Sequence, residues 1–243
     1  MAWADRACRN IVILTGAGIS QESGLETFRD KDGIWAKVRP EEVATPNAFV
    51  RNPERVHEFY NLRRRQLLSS TVKPNAAHFA LAELEQQWGG RLMLVTQNID
   101  NLHERAGSRN LIHMHGELLK SRCQVCARVQ PCFEDLDAGT ICAACGSTGA
   151  LRPHVVWFGE VPLFMDEILQ ELEGVDLFIA IGTSGNVYPA AGFAERASLV
   201  GAVVAELNME PSANASSYEE RIYGPATSTV PNYVHRLLDK ERF

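Results

Sequence analysis

An α/β fold, in which a mainly parallel, doubly wound sheet is interrupted by a smaller inserted module, is predicted by three observations. Four short apolar runs of the kind buried on both faces recur along the chain: Ile11–Thr15, Leu92–Thr96, Asp176–Ile181 and Ala202–Leu207. Helical stretches separate them, and this alternation implies parallel strands with helices on both sides. Between the second and third runs the alternation stops, and Cys123, Cys126, Cys142 and Cys145 form C-x2-C-x15-C-x2-C.

Taken in order, Ile11–Thr15 runs straight into Gly16-Ala17-Gly18-Ile19-Ser20. Glycines there let the backbone approach a pyrophosphate, and a following helix start offers N–H groups to the anion. The dinucleotide fingerprint asks for a further glycine at position 21, where Gln21 stands, and no acidic residue clearly ends a second strand about 20 residues on. A plain NAD dehydrogenase is therefore disfavoured. Asn52-Pro53 is an N-cap and first-turn pair opening a helix through about Leu68. Asn75 to Trp88 has helical spacing and stops at Gly89-Gly90; a further helix is predicted from near Pro162 and a last one after Pro231. The remaining strands also end in polar clusters: Thr96-Gln97-Asn98-Ile99-Asp100, Gly182-Thr183-Ser184, and Asn208. Each reads singly as a helix cap, but together on one sheet edge they suit a long dinucleotide, because open α/β sheets bind ligands at the carboxyl ends of their strands.

The cysteine spacing matches a structural Zn²⁺ site, two knuckles presenting four thiolates to one tetrahedral ion with no open position for water or substrate. The segment from about Lys120 to Leu151 is turn-rich and poor in large aliphatics, so it needs its metal to fold. Cys8 and Cys132 are left over as bystander thiols. Chemistry is expected instead at His115 in His113-Met114-His115-Gly116; a metal pair of His113 with His115 lacks a clear third ligand.

With 243 residues, 45% hydrophobic and 22% charged, the chain can bury a full core. No apolar run approaches the ~20 residues that span a bilayer. The net charge of −6 weighs against binding nucleic acid through its phosphates. Six cysteines, four of them in a knuckle pattern, suggest metal rather than disulfides and hence a reducing compartment. The residues before Ile11 are too few and too polar for a secretory signal, so the expected location is cytoplasmic.

In combination these pieces resemble the sirtuin family of NAD-dependent protein deacylases. The matching residues are Gly16–Ser20, Thr27-Phe28-Arg29, Thr96–Asp100, His115-Gly116, the four cysteines and Gly182–Ser184, in the family's order from Ile11 to the C-terminus. The resemblance implies a Rossmann-like NAD-binding domain (1–27, 69–119 and 152–243), and a small domain with a helical part (28–68) and a zinc-binding part (120–151). It also implies a cleft between the two domains. Gly16, Ala17, Gly18 and Ser20 would cradle the phosphates, and the loop carrying Phe28, Arg29 and Trp35 would close over the cofactor. Gln97, Asn98, Ile99 and Asp100 would hold the nicotinamide ribose and carboxamide. Gly182, Thr183 and Ser184 would bind further along, with Asn208, Met209 and Glu210 at the adenosine ribose and Ala226 at the adenine. Val156, Phe158, Gly159, Glu160 and Val187 would flank an acyl-lysine peptide entering as an added strand.

Departure of nicotinamide leaves oxocarbenium character on the ribose, which the acyl oxygen captures; a base must then activate a ribose hydroxyl. Histidine suits that task, since its ordinary pKa near ~6.5 leaves it largely neutral at pH 7. His115 is assigned the role, and the products are free lysine, nicotinamide and O-acyl-ADP-ribose. On the helix after Pro53, Tyr60 and Arg63 are one turn apart. From spacing alone they read as a half-buried tyrosine beside solvated arginines. In the branch of the family that removes acidic acyl groups, however, a Tyr-x-x-Arg pair lies at the pocket floor, and Ala44 matches a small residue that widens it. Removal of succinyl and malonyl groups from protein lysines, with some deacetylation, is thus expected. The alternatives are a plain deacetylase, a protein ADP-ribosyltransferase and a non-enzymatic zinc module. None of the motifs requires a second copy of the chain.

Overall fold

The computed structural model describes residues 8–25 and 38–241, with side chains through Asp239. Phe28, Arg29 and Trp35 lie outside the described residues.

The first apolar run forms β1 (Asn10–Thr15), and the others form β2 (Arg91–Thr96), β7 (Leu177–Ile181) and β8 (Val203–Asn208). Two short strands escape the sequence reading: β3 (Leu111–His113) and β9 (Glu220–Tyr223). All six pair in parallel in the order β3-β2-β1-β7-β8-β9. The winding reverses between β1 and β7, and this crevice is where a doubly wound sheet binds its ligand.

The period of two in a strand sends alternate side chains to opposite faces. Ile11 and Ile13 pack with Leu177, Ile179, Val203 and Ala205 under helices α4 (Ala76–Gln87) and α8 (Ala226–Glu241). Val12 and Leu14 pack on the other face with Phe178, Ala180 and Val204, under α6 (Met165–Glu173) and α7 (Phe193–Leu199). Both faces being covered, these strands need no polar alternation.

Two helix starts differ from the sequence expectation. α8 begins five residues before Pro231, because the Glu22 carboxylate accepts from the Thr227 N–H at 3.0 Å and from its hydroxyl at 2.6 Å, which satisfies the first turn. α6 begins at Met165 rather than near Pro162, since Phe164 takes a left-handed φ of 58° and the Leu163 N–H is given to the Met114 carbonyl.

The inserted module is a three-stranded antiparallel sheet, β5-β4-β6, of β4 (Gly116–Cys123), β5 (Val129–Pro131) and β6 (Leu151–Val155). Its own core is meagre: Cys123, Cys132, Leu136, Cys142 and Leu151. Helices α1 (Pro40–Val43), α2 (Pro46–Arg51) and α3 (Pro53–Leu67) lie beside it. They share a cluster in which Phe49, Val56, Phe59 and Tyr60 meet Leu118, Val155 and Trp157. A last short helix, α5 (Leu102–Ala106), follows β2.

Candidate active site

Gly16, Gly18 and Gly182 meet at the crevice between β1 and β7. A Cβ on Gly16 would lie 2.7 Å from the Gly182 carbonyl oxygen, and one on Gly18 would lie 2.7 Å from the Gly182 Cα. Gly182 itself has φ +63° and would strike the Ile19 nitrogen at 2.5 Å, so only glycine fits there. Backbone bonds from Gly16 N–H to Ile181 O (2.9 Å) and Gly18 N–H to Gly182 O (3.0 Å) fix the two loops together. The resulting bare backbone cradle is of the kind a pyrophosphate approaches, and in that respect the residues fit NAD.

The loop after β2 is tied to the same cradle. The Asn98 side chain donates to Gly16 O at 3.1 Å and Ser20 Oγ at 3.2 Å, and the Ser20 hydroxyl donates to Asp100 Oδ2 at 3.0 Å. Asp100 also accepts from the Leu102 N–H at 3.0 Å, so it caps the turn into α5 as well as facing the site. Burial pushes its carboxyl pKa up, against the pull of these two hydrogen bonds. Asn208 at the end of β8 donates to Thr183 O at 2.7 Å.

A cleft of about 820 Å³ opens over these loops. Every candidate site residue that falls within the described part, the four cysteines aside, lines it: the β1, β2, β7 and β8 loops, Ala226, Ala44, Tyr60, Arg63, His115, and the Val156–Glu160 and Val187 edges. His115 stands on the wall of this cleft. Its Nδ1 lies 3.0 Å from Gln97 O; a carbonyl only accepts, so Nδ1 carries the hydrogen and Nε2 keeps its lone pair. Burial lowers the ring's pKa, opposed by the bond to Gln97 O, and the imidazole is neutral at pH 7. Gly116 beside it has φ +78°, and a Cβ there would lie 2.2 Å from His154 O. The glycine after His115 thus lets β4 and β6 approach, and the His115 carbonyl then accepts from Val156 N–H at 2.9 Å.

His113 does not pair with His115. Its Nδ1–H donates to Asn98 O at 3.2 Å and its Nε2 faces Glu104 Oε1 at 2.8 Å. Burial alone would lower its pKa, but the bond and charge of Glu104, with Glu117, leave it raised. Glu104, His113 and Glu117 have ligand atoms within 4.8 Å of one another, with Glu117 already paired to Lys120.

α3 departs from the picture of a half-buried tyrosine beside solvated arginines. Tyr60 is 3% exposed, and Arg64 is wholly buried, donating to Asn61 Oδ1 at 2.8 Å and Leu118 O at 3.3 Å. Arg65 alone matches the solvated expectation among residues paired outward, to Asp135 at 3.0 Å. Arg63 is partly exposed to the cleft, its guanidinium 5.7 Å from the Phe59 ring centre. Trp157, buried under the cleft wall, donates its indole N–H to Tyr60 Oη at 3.0 Å. No local signal in the sequence marks this contact between residues 97 positions apart.

The four cysteines converge. Cys123 Sγ lies 3.7 Å from Cys145 Sγ, and Cys126 Sγ lies 3.8 Å from Cys142 Sγ; all four sulfurs fall within 4.8 Å of one another. Disulfide sulfurs would be about 2.05 Å apart, whereas thiolates about 2.3 Å from a central tetrahedral zinc are separated by roughly 3.8 Å. The set therefore fits a structural Zn²⁺.

Two further buried histidines, His78 and His103, lie behind the cradle with ring centres 4.9 Å apart and planes tilted by 58°. Burial lowers His78 to about 4 and His103 well below its ordinary value, the latter also repelled by His78 and His113. Because the unfolded chain takes up these protons near pH 6.5 and the native state does not, their contribution is complete above that pH. It is lost as the pH falls, by up to about 1.4 kcal/mol per unit for each ring. The urea midpoint is expected to fall between pH 6.5 and 5; a flat midpoint over that window would contradict these neutral assignments.

Among the described residues, no helix is long and apolar enough to cross a membrane. Residues 16–189 match the model of the Sir2 family. An NAD-dependent protein deacylase from Leishmania major is 56% identical over 96% of this chain and 97% of its own length. One from Caulobacter vibrioides is 56% identical over 96% and 98%. Among solved structures, a Sir2 homologue in complex with NAD superposes with a TM-score of 0.87 at 40% identity, covering 97% of this chain and 91% of that one.

Proposed function

The chain belongs to the Sir2 family and is an NAD-dependent protein deacylase; we propose that the groups it removes best from protein lysines are succinyl and malonyl, with acetyl removed less well. The observation that carries this reading is that Tyr60 and Arg63, one turn apart on α3, line the same cleft as His115. Ala44 lines it too and is nearly buried, adding little bulk to that wall. Burial pushes the Tyr60 phenol up to about 12, so it stays neutral and keeps a hydrogen to donate. Arg63 brings a permanent charge and a planar fork matched to a carboxylate.

Bound NAD supplies an ADP-ribosyl group that accepts the acyl chain as nicotinamide leaves. The glycine cradle of residues 16, 18 and 182, with Ala17 and Ser20, holds its phosphates. Gln97, Asn98, Ile99 and Asp100 orient the nicotinamide ribose and carboxamide, and Thr183 and Ser184 bind further along. Asn208, Met209 and Glu210 meet the adenosine ribose, and Ala226 meets the adenine. His115 Nε2 takes a proton from a ribose hydroxyl while Nδ1–H stays on Gln97 O. The peptide lies between Val156, Phe158, Gly159 and Glu160 on one side and Val187 on the other. Its pairing is through backbone, which predicts broad protein specificity. A reducing, cytoplasmic setting belongs to the same reading, because four thiolates must stay reduced to hold zinc.

The test is Arg63→Met assayed on matched succinyl- and acetyl-lysine peptides. Loss of a charge-assisted contact of about 1.5–3 kcal/mol lowers succinyl turnover by roughly one to two powers of ten, with acetyl affected far less. Equal loss on both peptides, or none on either, rejects the acyl-reading role.

A further inference from the structure

Tyr60 does not stand alone at the cleft. A chain of three side chains, Glu160, Arg152 and Trp157, runs behind it, the last two buried. Glu160 accepts from Arg152 at 2.6 and 2.9 Å and from the Trp157 backbone N–H at 2.8 Å. The Arg152 guanidinium, 3% exposed, lies 3.3 Å from the Trp157 ring centre. Trp157, 2% exposed, then gives its indole N–H to Tyr60 Oη. A cation on the face of an indole draws electron density toward it and makes the N–H a better donor.

A phenol has one hydrogen to give and an oxygen that accepts. With Trp157 supplying a hydrogen to that oxygen, Tyr60 has no donor role to play toward Trp157, since an indole N–H cannot accept. Its own hydrogen is directed elsewhere, and the cleft is what Tyr60 lines. We propose that Trp157 is a positioning residue for acyl selectivity: its indole N–H orients the Tyr60 hydroxyl so that the phenol hydrogen points at a carboxylate in the acyl pocket. Arg152 and Glu160 hold Trp157 in place. The inference rests on the acidic-acyl reading and names a residue that never touches the acyl group through its N–H.

The experiment compares kcat and KM on succinyl- and acetyl-lysine peptides for Trp157→Phe. That change keeps an aromatic ring over Arg152 but removes the donor. A second variant carries benzothienylalanine at position 157, preserving the two-ring shape without the N–H, and guards against a packing defect. Both are expected to lower the succinyl-to-acetyl ratio of kcat/KM about tenfold, one hydrogen bond to an ordered donor. The loss falls mainly in KM, because the pocket floor binds ground and transition states alike. In a Tyr60→Phe background, Trp157→Phe changes the ratio no further. An unchanged ratio in both variants, or an undiminished further fall in the Tyr60→Phe background, overturns the inference alone when Tyr60→Phe and Arg63→Met still shift the ratio. If those two leave the ratio unchanged, the acidic-acyl reading falls and this inference with it.

Discussion

His115→Ala slows deacylation by about 10² to 10⁴, the range a positioned general base supplies, while the protein folds and keeps its zinc. The expectation follows from two features of the ring. Its Nδ1–H is held on Gln97 O, so Nε2 is the basic nitrogen, and burial lowers its pKa below the ordinary value. The same shift fixes the pH dependence. The neutral form is the active one, so kcat/KM declines on the acid side, with that limb displaced below the ordinary histidine range, where Nε2 takes up a proton. His115→Ala removes this acid limb along with most of the rate. Steady-state nicotinamide release at a series of pH values measures both. Full activity in the variant, or an acid limb that persists in it, counts against His115 as the base.

Removing the metal has the second large effect. The module around the cysteines has only Cys132, Leu136 and Leu151 besides two of the thiols in its core. A core that small cannot offset the chain entropy of ordering some thirty residues at ~1.5 kcal/mol each. Structural zinc contributes about 10–16 kcal/mol of apparent binding energy in small domains, so most of this module's stability resides in the ion. Chelation under denaturing conditions is expected to release one zinc per chain. Cys142→Ser, at a fully buried ligand position, is expected to leave a protein whose β4-β5-β6 sheet exchanges its amide hydrogens freely while the six-stranded sheet stays protected. Activity falls with it, because β4 begins immediately after His115 and β6 runs into Val156–Glu160, which line the same cleft. Metal analysis and hydrogen exchange read the outcome, and unchanged protection of β4 without zinc would refute the metal's structural role.

The elements that could be read from the chain were those whose burial is written in consecutive residues. β1, β2, β7 and β8 are mostly apolar and covered on both faces, and composition reveals such strands even with Glu206 inside β8. β3 and β9 are the two edge strands, three and four residues long, and Glu220-Arg221 disguises the second as a turn. The glycine loop was legible as a loop, but its reason lay in Gly182, which packs on Gly16 and Gly18 across more than 160 positions of sequence. The zinc ligands were legible because four identical side chains at fixed spacing leave few other readings. α3 was the least legible stretch. Three consecutive arginines look alike in sequence, yet one faces the cleft, one is buried against Asn61 and Leu118, and one pairs outward with Asp135. Helical geometry sends neighbours to different sides, and only the tertiary fold decides which side is which.

The most direct measurement is the turnover of matched acetyl-, malonyl-, succinyl- and glutaryl-lysine peptides by the zinc-loaded protein with NAD, run beside Arg63→Met. The structure predicts that kcat/KM for succinyl and malonyl exceeds that for acetyl by about one to two powers of ten, and that the excess collapses in the variant. A wild-type protein that turns over acetyl-lysine as well as or better than the acidic acyl groups would contradict it.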